Sequence, residues 1–344
     1  MSKFLLPFVL CAFAVSAHAE LRRTRTVSYY EGTHSVTVPE RVTRVATAWE
    51  AHNATLAMLG YGDKIVATTR IVREMPIFRK FVPGIADAAL ASAAGSADLN
   101  VEELIFLNPD VVFVASAPPV AKLEQLRKAG IAIAPLRYNS LAAVVERTVI
   151  TGEILGPDAH RRALQYKEYF NRNVQRVKER LATLPAHRRL KVYHPVSNPT
   201  STFGRPSLVQ DWMDLGGAIN IAEHWFRGLP NASGTVSIED VMTADPDVIV
   251  VMRASHAEEI RTDKRWSTLR AVRNGRVYAN PRGLFWWGRE TAEEALQFLW
   301  LAKLLYPDRM RDIDMPEETR QFYERFFGYR LSDDEIAEFL NPRS

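Results

Sequence analysis

The chain has 344 residues, of which 47% are hydrophobic and 24% charged, and a formal net charge of +4 at pH 7. The length is too great for one small domain and comfortable for two, and the ordinary composition excludes a disordered or low-complexity chain. The positive excess is mild and no basic stripe with interleaved aromatics is present, so no nucleic acid partner is expected, while an anionic ligand is compatible.

Residues 1–19 read as a secretory signal. Lys3 supplies the basic end, Phe4 to Val15 an apolar run, and Ala17-His18-Ala19 a cleavage site of small residues. The run falls short of the roughly 20 residues that a bilayer span requires. Cleavage is expected after Ala19. Leu10 is too bulky to precede a lipidated cysteine, so Cys11 is not read as an anchor. Cys11 is also the only cysteine, which leaves the exported chain without any and fits a bacterial periplasm.

Tyr29 to Val38 alternates weakly and ends at Pro39, as an edge strand does. Arg44 to Ala48 is a short strand running into Trp49, Glu50, Ala51 and His52, then a helix that stops at Gly60. Lys64 to Thr68 is a second strand, followed by a loop with Arg70, Arg73 and Pro76. A helix over Val101 to Leu107 precedes Val111 to Ala115, a continuous apolar run typical of a strand buried on both faces. A helix over Val120 to Lys128 and a strand over Ile131 to Ala134 complete a β/α alternation that predicts a doubly wound sheet.

From Leu141 to Leu184 there is almost no β signal, and Gly156-Pro157 interrupts the segment once. Tyr166, Phe170, Val174 or Val177, Leu181 and Leu184 recur at three-to-four spacing, which predicts a long amphipathic helix. The alternation then resumes, with strands over Leu190 to His194, Val248 to Met252 and Arg276 to Ala279, and helices over Leu208 to Leu215 and Thr291 to Leu305. An internal echo links the halves: 98-DLNVEELIFLNPDVVFVAS-116 matches 235-TVSIEDVMTADPDVIVVMRAS-255. Each copy has a glutamate early in a helix (Glu102, Glu239), then Pro-Asp, then a buried strand, which predicts two lobes of related topology.

Four segments in this order carry a resemblance: Arg44-Val45 to Leu59-Gly60; Asn100-Val101-Glu102 to Val111-Val112; Leu215-Gly216-Gly217-Ala218-Ile219-Asn220; and Val236-Ser237-Ile238-Glu239 to Val248. From about Arg41 to Pro307 the chain resembles the periplasmic substrate-binding proteins of the metal-chelate class, which deliver ferric siderophores, haem, vitamin B12 and related complexes to ATP-binding-cassette importers. The resemblance implies an α/β fold class: two doubly wound α/β lobes joined by one long linking helix, with the ligand cleft between the lobes. The expected boundaries are signal 1–19, N-terminal lobe 20–140, linking helical segment 141–185 and C-terminal lobe 186–344. It also implies a monomer in the periplasm with no intrinsic cofactor, whose cargo is a metal chelate and whose partner is a membrane permease. Glu102 and Glu239 fall where the family carries its permease-docking acids.

In such sheets ligands bind beyond the carboxyl ends of the strands. The residues placed there are Trp49 and His52, Arg70 and Arg73, Tyr138, His194 and Arg205, Arg253, and the loop 282-RGLFWWGRE-290 with Trp286, Trp287 and Arg289. Tryptophans suit the walls of a site for a large planar or greasy chelate, with one of the pair facing the cleft and the other packing beneath the loop. The arginines suit carboxylate, catecholate or hydroxamate oxygens. His52, His194 and His224 are the metal-ligand candidates; their spacing matches no compact metal motif, and His52 or His194 with Tyr138 are the ones that could complete the coordination of a bound metal. No G-x-S-x-G elbow, P-loop or G-x-G-x-x-G follows a strand, so an enzyme is not expected. A ferric siderophore is the expected cargo, with a nickel or cobalt chelate, haem or a corrinoid as the alternatives.

Overall fold

A computed structural model describes residues 23–93 and 98–343; the segment read as a signal lies outside the described residues. The described chain opens with an antiparallel hairpin of β1 (Thr24–Tyr29) and β2 (His34–Pro39). The expected single edge strand is therefore two strands, because Tyr30, Glu31 and Gly32 take positive φ and turn the chain back. The guanidinium of Arg25 fastens the hairpin to the carbonyls of Glu153 and Ile154.

The N-terminal lobe is a parallel sheet of five strands in the order β5-β4-β3-β6-β7. These are β3 (Val45–Thr47), β4 (Ile65–Thr69), β5 (Ala89–Ser92), β6 (Val111–Val114) and β7 (Ala132–Pro135). Helices α1 (His52–Met58), α2 (Arg70–Glu74), α3 (Pro76–Phe81), α4 (Val101–Leu107) and α5 (Val120–Lys128) lie between them. All four residues of β6 are buried, as a strand covered on both faces requires.

The β-free middle forms α6 (Leu141–Leu155) and α7 (Pro157–Leu181), separated at Gly156. At 25 residues, α7 spans about 37 Å. Its buried stripe includes Tyr166, Phe170, Val177 and Leu181, so Val177 rather than Val174 sits fully in the core. The two helices pack closely at Gly152, where a Cβ would lie 2.7 Å from the Ala163 Cβ and 2.9 Å from the Ala159 carbonyl.

The second lobe contains β8 (Lys191–Tyr193), β9 (Ser201–Phe203), β10 (Ile219–Asn220), β11 (Ser233–Thr235), β12 (Val248–Val251) and β13 (Val277–Ala279). Four of these form a parallel sheet in the order β10-β8-β12-β13, and β9 pairs with β11 beside it. Its helices are α8 (Leu208–Leu215), α9 (Ile238–Ala244), α10 (Ala254–Thr262), α11 (Arg270–Arg273) and α12 (Glu294–Leu305). The internal echo is structural. Asn100 and Ser237 cap α4 and α9 with their side chains, and Asn108 and Asp245 end the helices in the left-handed conformation. Asp110 and Asp247 then accept backbone N–H groups at the entry to the neighbouring strand, from Arg44 and Lys191 respectively.

The last helices, α13 (Met315–Phe327) and α14 (Asp333–Leu340), touch both lobes: Leu284 donates its N–H to the Tyr323 hydroxyl and Arg282 its N–H to the Phe339 carbonyl. Tyr323 and Tyr329 pack on Phe81 of α3, Phe326 packs on Tyr166 of α7, and Lys80 pairs with Glu335. The end of the segment expected as the C-terminal lobe, 186–344, therefore also reaches the first lobe, because α13 and α14 present an aromatic face that the first lobe and the linker help to cover. The two helices thus form a strap across the first lobe, the linker and the loop at Leu284.

Gly283 shows how tightly the aromatic loop is seated on the strap. A Cβ there would meet the Tyr323 hydroxyl at 1.9 Å and Glu293 Oε1 at 2.7 Å. Overpacking of this kind costs about 1–3 kcal/mol or more. Gly283→Ala is therefore expected to lower Tm by several degrees in calorimetry; an unchanged Tm would mean that the loop can lift off the strap freely.

Candidate ligand-binding cleft

A cavity of about 540 Å³ opens between the carboxyl ends of the two sheets. The first lobe contributes Trp49 and Glu50 after β3, Ile71 on α2, and Tyr138 and Asn139 after β7. The second contributes Phe203, Met252 and Arg253, and the loop residues Phe285, Trp286, Arg289 and Glu290.

Trp49 is only 7% exposed and is held from behind. Its ring stacks on His52 at 5.5 Å and 12°, and the guanidinium of Arg147 lies 4.4 Å from its centroid. Asn53 fixes the same turn by donating to the carbonyls of Trp49 and Glu50, both at 3.1 Å. Across the cleft, Trp286 meets the edge of Phe285 at 5.0 Å, and the guanidiniums of Arg282 and Arg253 lie 4.4 and 5.4 Å from its ring. Burial, followed by repulsion from Arg253, pushes the Arg282 guanidinium below its usual pKa. Aromatic rings held this way offer flat walls at little entropic cost.

The floor joins the lobes. Asn139, at φ +65°, donates its N–H to Glu290 Oε1 at 2.6 Å and accepts from the Leu208 N–H at 3.1 Å. Glu290, at φ +64°, donates its N–H to Glu294 at 2.9 Å, and its carbonyl accepts from Arg147. Burial pushes the Glu294 carboxyl up to about 8, against the opposing effects of the Glu290 N–H and Arg147. The folded state therefore holds a proton that the unfolded chain releases near pH 4.5, and this contribution to stability declines as pH rises from there toward 8. Glu294→Gln, which mimics the protonated acid, is expected to gain Tm relative to the parent between pH 5 and 8. Parallel Tm curves would show that the carboxyl titrates alike in both states.

Of the candidate site residues, Trp49, Tyr138, Arg253, Trp286 and Arg289 line the cavity. Trp287 does not; it is fully buried, which assigns the core member of the pair. His52 and His194 also leave the cleft, since both are fully buried. His52 lies beneath Trp49 and meets Thr151 Oγ1 at 3.3 Å, and burial holds its pKa well below the usual value. His194 donates Nδ1–H to the Val250 carbonyl at 2.6 Å, and burial takes it down to about 4 despite that bond. The two histidines proposed as metal ligands are thus neutral packing residues behind the walls, and His224 is exposed. Among the described residues no three His, Cys, Asp or Glu side chains gather as a metal ion would need.

Three of the five arginines are elsewhere. Arg205 pairs with Asp214 and Glu223 at 2.6 and 2.8 Å, so its charge is already spent. Arg70 is exposed and Arg73 half-buried on α2, and it is Ile71 between them that lines the cavity. Strand-end counting assigns the loop but not the side-chain direction. It also passed over Arg147 and Glu290. Arg147 had a signal: it falls in register with Leu141, Val144, Thr151 and Leu155 on the buried face of α6.

Residues 45–282 match the family described as periplasmic binding protein. The chain belongs to that family. The molybdate-binding protein MolA of Haemophilus influenzae is 25% identical over 333 residues, covering 88% of this chain and 91% of MolA. An uncharacterized ABC transporter substrate-binding lipoprotein of Bacillus subtilis, YvrC, is 23% identical over 285 residues, covering 80% and 84%. The crystal structure of a periplasmic solute binding protein from Veillonella parvula superposes with a TM-score of 0.79 at 26% identity, covering 92% of this chain and 97% of that one. As a periplasmic binding protein, the chain places its cavity where two α/β lobes meet. Among the described residues no helix is long and apolar enough to cross a membrane.

Proposed function

We propose that this periplasmic binding protein captures an anionic metal complex, a ferric siderophore in the first instance, and delivers it to the permease of an ATP-binding-cassette importer. In this reading the chain is exported by a signal cleaved after Ala19 and acts as a monomer, with no catalytic step. The observation that carries it is the pair Arg253 and Arg289. Both line the cavity, and neither has an ion-pair partner among the described residues. Unpaired guanidiniums between aromatic walls favour a ligand with anionic oxygens and a broad apolar body. The helix starts support the same sign: Ala51 and Arg253, which precede α1 and α10, and Leu208, the first residue of α8, line the cavity, so the positive ends of these helices lie beside it.

Two features favour a chelate over a bare ion. The cavity is far larger than a five-atom oxyanion fills, and the metal ligands must come with the cargo because the histidines are turned away. The second reading is a molybdate-like oxyanion, which the relationship to MolA favours and which the same arginines would serve. Tryptophan-fluorescence titration with native mass spectrometry separates them, using ferric catecholate and carboxylate siderophores, molybdate, haem, vitamin B12 and nickel–histidine. Quenching by an anionic ferric chelate supports the proposal. Binding of molybdate alone selects the second reading. Binding only of haem, a corrinoid or the nickel complex keeps the transport role and overturns the cargo.

A further inference from the structure

The repeated helices α4 and α9 match in position and pattern. After the capping residues Asn100 and Ser237, the second helical position is an exposed glutamate, Glu102 or Glu239. Two positions on, Leu104 and Val241 are fully buried and anchor each helix to its sheet. The next residue turns outward again and is apolar in both copies: Ile105 is 43% exposed and Met242 40%. Position three from the glutamate shares its helix face, so each lobe presents an acid with an apolar neighbour on the same side. The copies differ most in chemistry at the position after that. Phe106 is 83% exposed, whereas Thr243 stands at the matching site and turns its hydroxyl to the Glu239 carbonyl.

Taking Glu102 and Glu239 as the docking acids that the family resemblance implies, we infer that the exposed apolar residue beside each acid is an anchor for the same partner, and that Phe106 makes the N-terminal lobe's element the stronger one. The inference rests on the reading that the protein feeds a membrane permease. It specifies the permease surface: a basic side chain beside an apolar pocket, presented twice. The acidic pairs Glu102/Glu103 and Glu239/Asp240 would repel a second copy of this face, so charge selects a basic partner over self-association. No fold requirement accounts for Phe106. A phenylalanine covers roughly 150–250 Å² when buried, and here that area faces solvent.

The test measures binding of the mature chain to its cognate importer in lipid nanodiscs, at low and high salt. Phe106→Ser is expected to raise Kd about tenfold or more through faster dissociation, at both salt levels. Met242→Ser is expected to raise it about threefold. Glu102→Ala with Glu239→Ala should act mainly on association at low salt, with the difference shrinking at high salt. All variants should keep parental Tm and cargo affinity. If Phe106→Ser and Met242→Ser stay within about twofold of the parent while the glutamate pair weakens binding, the apolar anchors are overturned and the docking acids stand. If all variants bind as the parent does, both readings fall. A concentration-dependent dimer that Phe106→Ser abolishes would assign the face to self-association and overturn the inference.

Discussion

Arg253→Ala and Arg289→Ala are each expected to weaken binding of an anionic chelate about 30-fold or more, in titrations followed by tryptophan fluorescence. Removing one partner of a desolvated charge pair costs about 2–5 kcal/mol, and RT ln 30 is about 2 kcal/mol. The two residues reach the cavity from different loops, Arg253 at the start of α10 and Arg289 beyond the aromatic pair. Both would act on one ligand, so the double variant should lose less than the sum of the single losses. Arg253→Lys should recover only part of the affinity, because it returns the charge without the planar fork. Arg205→Ala is the control. Its partners are Asp214 and Glu223 outside the cavity, so cargo affinity should not change. Equal affinity in the parent and the Arg253→Ala/Arg289→Ala double variant would remove the basis for an anionic cargo.

The second large effect is expected at Arg147. This side chain is fully buried, supports Trp49 from behind and donates to the Glu290 carbonyl on the floor. Arg147→Ala leaves a cavity under the indole and an unpaired carbonyl at the lobe junction. The combined cost should be about 3–5 kcal/mol, the range for breaking a buried charged interaction. At roughly 2 °C per kcal/mol for a chain of this size, Tm should fall by about 6–10 °C. Cargo affinity should fall with it, since Trp49 loses its backing. Arg147→Met refills the space without the charge and should regain about half of the Tm loss. Full recovery by methionine would show that only packing matters. A Tm loss below about 2 °C for alanine would show that the residue does not hold the junction.

Much of the architecture is present in local pattern. Val111 to Val114 and Val248 to Val251 are apolar at every position because parallel strands are covered on both faces. The Pro-Asp pairs mark equivalent strand entries because Asp110 and Asp247 do the same job of accepting free N–H groups there. The loop carrying Trp286, Trp287 and Arg289 was legible as cleft-facing from its place after a strand. The hairpin at Tyr30–Gly32 was not, since positive φ at Tyr30 and Glu31 contradicts the usual preference of those residues.

By itself, then, the sequence determined the two α/β lobes, their internal repeat, the helical link and the strand ends that border the cleft. These follow from hydrophobic periodicity and chain punctuation, which act over a few residues. Only the tertiary structure decided which side chains enter the cavity. Trp286 faces it and Trp287 does not, Arg253 and Arg289 remain unpaired while Arg205 finds Asp214 and Glu223, and His52 and His194 lie behind the walls. Tertiary packing also laid α13 and α14 against both lobes. Most of these outcomes depend on partners outside the local segment, and hydrogen bonding and burial between separate segments leave no period in the local sequence.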